Sequence, residues 1–480
     1  MLFHTFTFLV FFTITVALLL IARRQHTTQK NILLIASAIF YMWWNPAFIL
    51  LIVFSAGVDY LVAARLEHTE EQRARRNLLL VSLITNFGLL AFFKYTGFLE
   101  HNLLYVFRLF GYQPNWADFH IILPVGISFY TFHTLSYTID VYKREIPTTR
   151  SFRDFALFVT FFPPLVAGPI MRASSFLPQL ETPRQMNFDR ANFFLFLRGL
   201  VKKALVADGV ALFADAIFKN PTQWSSAVIW LATICFYVQI YCDFSGYSDM
   251  AIAIARMLGY ELTPNFNRPY FAADPSEFWK RWHISLSTWL RDYLYIPLGG
   301  NRHGELKTIR NLMLTMLIGG LWHGASWSFV LWGGLHGAAL VIHRGWRSLT
   351  ERWNIRPLLD GSLTYRIVAV LVMQYFILVT WIPFRLVNTD QMIYALRKFI
   401  FFDMNFRLAD AGLGAMAPFA TVLLIVIFMI IHLGSEIWGG LDVHLARLPL
   451  PLAATACVLI GVVLFILWPS QAAPFIYFQF

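Results

Sequence analysis

Apolar runs of about 20 residues, long enough to cross a bilayer as a helix, recur from one end of this chain to the other. The clearest cover residues 2–22, 31–63, 77–110, 120–139, 192–218, 225–258, 311–343, 365–385, 415–436 and 449–468. The run at 31–63 is long enough for two passes and is broken at Asn45-Pro46. Roughly ten to twelve membrane segments are expected by this length criterion. Helix breakers interrupt several runs, as in Leu123-Pro124-Val125-Gly126 and Phe162-Pro163-Pro164-Leu165-Val166-Ala167-Gly168-Pro169. Irregular backbone at membrane depth is tolerated only where protein or a water-filled cavity satisfies it. These breaks therefore predict re-entrant segments around an internal cavity. The loops at 144–154, 180–190, 261–278 and 350–364 are short, and no repeat or low-complexity tract separates them. The expected fold class is an all-α, multi-span integral membrane protein, with one membrane domain over residues 1–480.

Composition narrows the picture to a membrane solvent. Of 480 residues, 58% are hydrophobic and 14% charged, against about 25% charged in soluble domains. The run from Leu2 to Ile21 has no basic segment before it and no small-residue cleavage site after it, and Arg23 and Arg24 follow. That reads as a retained first span. The net charge of +11 is read as topology and not as nucleic-acid affinity, because basic residues concentrate in cytoplasmic loops. Arg23, Arg24 and Lys30 follow the first span, and Arg65, Arg73, Arg75 and Arg76 cluster later. Both loops are expected in the cytoplasm, with the N-terminus outside; Glu67, Glu70 and Glu71 count little against this. Cys235, Cys242 and Cys457, all in apolar settings, suggest neither a disulfide framework nor a metal cluster.

Candidate chemistry lies in the middle of the chain. The segment from Glu277 to Tyr293 is too charged for a lipid-facing span. Read as one helix, it carries Arg281, Ser285, Thr288 and Asp292 in a polar stripe beside Trp282, Leu286, Trp289 and Tyr293. Two readings stay open: an amphipathic helix on the membrane surface, or a helix lining a cavity that admits a large polar ligand. His323 lies in Gly319-Gly320-Leu321-Trp322-His323-Gly324-Ala325, within a run from Asn311 to Ile342 that lacks Asp, Glu, Lys and Arg. An ionisable residue at that depth is a functional candidate, because placing it there is costly. Its rival reading is a neutral histidine hydrogen-bonded across helices. The neighbouring glycines admit a close backbone or a ligand.

His336 and His343 follow in the same run. On one continuous helix His323 and His336 would stand about 20 Å apart and point differently, so no metal site is expected. Asp243 and Asp249, in Tyr241-Cys242-Asp243-Phe244-Ser245-Gly246-Tyr247-Ser248-Asp249, interrupt the run at 225–258. They serve either a proton-coupled transporter or as partners for basic residues of the 277–292 helix.

Several ordered blocks resemble the membrane-bound O-acyltransferase family, in its bacterial alginate O-acetylation subgroup. They are Ile122 to Tyr130, Tyr137 to Tyr142, Phe162 to Ile170, Asp243 to Ala251, Asn265 to Tyr270, Glu277 to Arg302, and Gly320-Leu321-Trp322-His323-Gly324. The resemblance is dense over 120–345; Pro164 stands where a polar residue is common, which bears on one cavity wall. The resemblance implies a ring of membrane helices around a thin core pierced by a tunnel. Acyl-CoA enters from the cytoplasm, and the acceptor lies in the membrane or beyond it. It places His323 at the catalytic position, as base or positioning group for transfer from a thioester, with His283 in support. It implies that Lys280, Arg281, Arg291 and Trp322 hold the CoA moiety. Asp243, Ser245, Tyr247, Asp249, Asn265, Trp282 and Asp292 then shape the tunnel.

The tail at 469–480 ends Phe475-Ile476-Tyr477-Phe478-Gln479-Phe480. It reads as an aromatic interface anchor or, from its resemblance to a terminal tyrosine motif of cell-surface acylation systems, as an acyl relay through Tyr477. A phenol is chemically able to form such an intermediate. The implied whole is an inner-membrane O-acetyltransferase with N-terminus and tail in the periplasm. It has no permanently bound cofactor, acetyl-CoA as donor and membrane lipid around it. A periplasmic SGNH-type partner, of the AlgJ, AlgX or PatB kind, would pass acetyl to alginate, peptidoglycan or cellulose. Transfer of D-alanine or a fatty chain is the alternative within the class, and a proton-coupled transporter or flippase is the rival outside it.

Overall fold

A chain with this much apolar surface has one cheap way to satisfy its backbone in lipid, which is to bond each N–H to a carbonyl of its own segment. The computed structural model, which describes residues 1–112, 121–403, 417–468 and 475–476, is helical throughout its regular elements. Among the described residues, five helical stretches are long and apolar enough to cross a membrane: Pro46–Glu67, Gln72–Leu109, Ser226–Met257, Leu363–Arg385 and Pro418–Trp438. Phe6–Ile21 and Leu450–Ile466 are shorter apolar helices. Large apolar side chains such as Ile84, Phe92, Val458 and Phe465 stand exposed on these helices, as lipid contact requires and water would penalise. The protein is an all-α, multi-pass membrane protein. Two compact units divide the chain.

The first unit comprises Met1–Asn192 and Ala251–Thr263. Its helices are α1 (Phe6–Ile21), α2 (His26–Met42), α3 (Ile49–Glu67), α4 (Gln72–Leu109), α5 (Ile127–Tyr142), α6 (Phe152–Thr160), α7 (Phe162–Leu165) and α8 (Ala173–Phe176). The expected break at Asn45-Pro46 separates α2 from α3, and the Asn45 side chain accepts from the Ala47 N–H. The Pro-rich break around residue 162 is satisfied by protein: the Phe162 N–H donates to Ser37 Oγ at 3.1 Å. Pro164 is buried there.

Across α3, α4 and α5 runs a fully buried polar network. The Asp59 carboxylate accepts from Ser82 Oγ, from Asn86 Nδ2 at 2.7 Å and from Thr138 Oγ1 at 3.0 Å. Ser55 and Thr134 donate to Asn86 Oδ1.

The second unit comprises Phe193–Met250 and Pro264–Phe480. It is built from α9 (Arg190–Leu200), a widened π-type stretch Val201–Ala207, α10 (Asp208–Phe218), α11 (Ser226–Met257), α12 (Pro275–Arg281), α13 (Ile284–Leu290), α14 (Glu305–His323) and α15 (Trp327–Arg352). Then follow α16 (Arg356–Asp360), α17 (Leu363–Arg385), α18 (Thr389–Ile400), α19 (Ala417–Trp438), α20 (Leu441–Arg447) and α21 (Leu450–Ile466). Its core is aromatic: Tyr270, Phe278, Trp282, Trp332, Trp381 and Phe384 are all nearly inaccessible.

Two helical expectations are corrected in this unit. The 277–292 segment is not one helix. The chain breaks at Trp282–His283, where His283 takes φ +43°, so Arg281 ends α12 and Trp282 sits at the break. Ser285, Leu286, Thr288 and Trp289 lie on α13, and Asp292 and Tyr293 fall in a π-type stretch, Arg291–Tyr295. The run at 311–343 is a hairpin, with α14 ending at His323 and α15 starting at Trp327. Its close packing needs small residues: a Cβ on Gly320 would lie 2.3 Å from the Phe329 carbonyl oxygen.

Candidate active site around His323

His323 is the last residue of α14, followed by extended backbone at Gly324. Its side chain is buried among rings: Trp322 at 4.9 Å between centroids, Trp332 at 5.0 Å, Phe384 at 5.3 Å and His283 at 6.4 Å. The glycines beside it are used for backbone packing, as Gly320 demonstrates. The hairpin also overturns the separation argued from a continuous helix. His336 comes back against the same indole as His323, with 4.6 Å between the Trp332 and His336 centroids. No group of three His, Cys, Asp or Glu suited to a metal exists among the described residues.

The left-handed backbone at His283 costs about 1–3 kcal/mol for a non-glycine residue, so the surroundings must hold it. They do so through the 265–267 segment. The Ile284 N–H donates to the Asn265 carbonyl at 2.9 Å, and the Asn267 N–H donates to the Arg281 carbonyl at 2.8 Å. Asn265 Oδ1 accepts from the Ser285 N–H and from Ser285 Oγ, and lies 3.1 Å from His283 Nδ1. Because an amide oxygen only accepts, and Asn265 Nδ2 is engaged with Ser248 Oγ at 3.2 Å, His283 carries its proton on Nδ1. Nε2 is then the acceptor nitrogen. Burial pushes this imidazole down to about 3, which keeps it neutral at physiological pH. One asparagine thus caps α13, fixes the tautomer of His283 and holds the bend that brings His283 to His323.

The acidic pair is corrected as well. Neither Asp243 nor Asp249 is bonded to a basic residue of the 277–292 segment. Asp249 accepts from Arg198 at 2.9 and 2.6 Å and from Lys202 Nζ at 2.8 Å, and Arg198 also binds Asp442 at 2.6 Å. Asp243 pairs with Lys203 at 2.9 Å, and Lys203 also pairs with Asp208 at 2.8 Å. The partners come from α9 and its π-type extension, which α11 approaches closely: a Cβ on Gly246 would sit 2.7 Å from the Gly199 carbonyl oxygen. Small residues at such a crossing let backbones approach.

The remaining predicted residues separate into those near the histidines and those elsewhere. Trp322 lies beside both histidines, 5.9 Å from His283. Trp282 is stacked on Phe278 and tilted against Trp381 at 5.1 Å. Tyr247 and Ser245 are buried on α11. Arg281 binds Glu277 at 2.7 Å and Glu436 at 3.5 Å. Arg291 is exposed and paired with Asp292 at 2.7 Å; Lys280 is exposed. Tyr477 lies outside the described residues.

Several participants were missed: Lys203 and Asp208, Arg198 and Lys202, and the rings of Trp332 and Phe384. The first four had a signal, since they are charges inside the apolar run at 192–218, where an ionisable residue is a functional candidate with a partner to be found. The two rings had none, because an aromatic residue in an apolar run looks like any other.

The chain is 42% identical over 360 residues to the probable alginate O-acetylase AlgI of Azotobacter vinelandii, covering 74% of this chain and 69% of that protein. It is 42% identical to the like-named protein of Pseudomonas aeruginosa, covering 73% and 66%. It is 38% identical to the peptidoglycan O-acetyltransferase of Helicobacter pylori, covering 76% and 72%. The sequence profile of the membrane-bound O-acyltransferase family matches residues 141–382, a span that contains His283 and His323. The chain therefore belongs to the membrane-bound O-acyltransferase family.

Proposed function

We propose that this protein takes acetyl from cytoplasmic acetyl-CoA and passes it across the bacterial inner membrane for O-acetylation of an extracytoplasmic polysaccharide. Three relatives bear names of alginate or peptidoglycan O-acetylation, which supports the acceptor class. The observation that carries the reading is the buried pair of His283 and His323, 6.4 Å apart between centroids, within an aromatic enclosure. Such an enclosure strengthens each polar contact inside it. The rings packed 4.9–5.3 Å from His323 favour a small acyl group over a fatty chain.

In this mechanism His323 takes the proton of the Tyr477 phenol as its oxygen attacks the thioester carbonyl. A C–O bond forms, the C–S bond breaks, and CoA leaves as a thiol carrying that proton. His283, held by Asn265 with Nε2 as acceptor, orients the incoming hydroxyl. Trp322 walls the site. A periplasmic partner of the SGNH type then moves acetyl from Tyr477 to a sugar hydroxyl and restores the phenol. Lys280, Arg281 and Arg291 belong to the path of the CoA phosphates. The N-terminus and the tail face the periplasm.

The test is acetyl transfer from labelled acetyl-CoA by purified protein in liposomes, with CoA release followed in parallel. His323→Ala is expected to lower both by about 10²–10⁴-fold, the range of general-base catalysis, with the fold intact. Unchanged turnover would remove His323 from the chemistry. Mass spectrometry of the wild type is expected to find acetyl on Tyr477. Full polysaccharide acetylation in a Tyr477→Phe strain would sink the relay.

A further inference from the structure

Residues 475–476 bear directly on the site. Phe475 and Ile476 are almost wholly buried, at 1% exposure each. The Ile476 N–H donates to Asp243 Oδ2 at 2.8 Å, while Asp243 Oδ1 faces Lys203 Nζ at 2.9 Å. Lys203 is shared with Asp208, so one buried cation stands against two carboxylates. A carboxylate with only half a cation to itself is a strong acceptor, and a backbone N–H is what it holds here. The Phe475 ring sits 5.2 Å from Tyr247 and 5.9 Å from Phe244. Phe244 is itself packed edge-on against His283 at 4.6 Å. A continuous line of rings therefore runs from Phe475 through Phe244 and His283 to His323.

We infer that Asp243, held by Lys203, is the positioning residue that clamps the 475–476 backbone beside the histidine pair. Phe244 and Tyr247 seat Phe475. The inference deepens the relay reading and rests on it in one respect only, the use made of the next residue. Tyr477 is the next residue in the sequence. A relay residue must be presented in one geometry, since small misplacements in acyl transfer are costly. A backbone clamp does this without constraining the side chain that carries the acyl group. It also explains why a carboxylate stands on α11 amid apolar residues although it touches neither histidine.

The test uses the full chain with three substitutions. Ile476→Pro removes the donated N–H and leaves Lys203, Asp208 and Asp243 untouched. Asp243→Ala removes the acceptor, and Asp243→Asn keeps an acceptor oxygen but not the charge. Hydrogen exchange of a peptide spanning 475–480 reads the clamp. Acetyl transfer and CoA release read its use.

A hydrogen bond to a charged group predicts roughly ten- to a hundredfold loss of protection in Ile476→Pro and Asp243→Ala, with partial rescue in Asp243→Asn. Transfer is expected to fall while the thermal midpoint of Ile476→Pro stays near wild type. Wild-type protection in Ile476→Pro overturns the clamp, even where Asp243→Ala fails to fold. Lost protection with full transfer, and full transfer in Tyr477→Phe, leaves the clamp standing and overturns the relay instead.

Discussion

Each unit buries carboxylates among its helices, and the two solve the same problem differently. In the first, Asp59 is surrounded by neutral donors from Ser82, Asn86 and Thr138. In the second, Asp249 is met by Arg198 and Lys202, and Asp243 by Lys203. Neutral donors from neighbouring helices join those helices and occupy the acceptor oxygens of Asp59. Cations sharing two acidic partners leave directed charge that can hold something further, as Asp243 holds Ile476. The difference teaches that an intramembrane acid is read by its partners, and that depth alone says little about its role.

Asp249→Ala should produce the largest loss of stability, because it strips Lys202 of its ion-pair partner and leaves Arg198 with Asp442 only. Removing one member of a buried ion pair costs about 3–5 kcal/mol. Thermal unfolding in detergent checks this, and a near-native midpoint would show that solvent reaches the cluster. Asp59→Leu should cost somewhat less, about 3 kcal/mol, through donors left unpaired. Asp59→Asn should recover most of it, about 1 kcal/mol from wild type, since an amide oxygen still accepts. Equal loss in both would mean that the charge of Asp59 matters, and the contrast between the units would fail.

His283→Ala is expected to cost about 1–2 kcal/mol from the left-handed backbone and the lost bond to Asn265. His283→Asn, which tolerates that backbone, should melt closer to wild type yet share the loss of acetyl transfer. Restored transfer in His283→Asn would reduce His283 to a bend.

The smallest effect belongs to the exposed pair of Glu305 and Arg344, bonded at 2.8 and 2.9 Å. The Arg344 guanidinium lowers the Glu305 carboxyl from its usual range. A lowered folded value means that its stabilisation is present above the ordinary carboxylate range and is lost as pH falls through the lowered value. Glu305→Gln should lower the midpoint only slightly at neutral pH, because exposed pairs are screened.

Much of this was legible in order of residues alone. Leucine, phenylalanine and isoleucine in runs of spanning length predict helices in lipid without reference to any neighbour, and α3, α4, α11 and α17 follow them closely. The Asn45-Pro46 break was readable because both residues act on their own backbone. His323 stood out because it is costly where it is. The break at His283 was not readable, since a histidine in left-handed backbone is held by Asn265, 18 residues earlier. The hairpin after His323 escaped for a similar reason: Gly324-Ala325-Ser326 is too weak a breaker to be told from small-residue packing inside a helix.

Composition and spacing determined the solvent of this protein, its long apolar helices and the histidine that stands out among them, because each depends on short-range cost. Only the tertiary structure decided who meets whom. Asp243 reaches Lys203 through the close crossing at Gly199 and Gly246, and it holds a backbone N–H 233 residues further on. His283 reaches His323 through a bend that an asparagine side chain sustains. Such pairings are fixed by helix crossings and long-range hydrogen bonds, whose energies no local pattern contains.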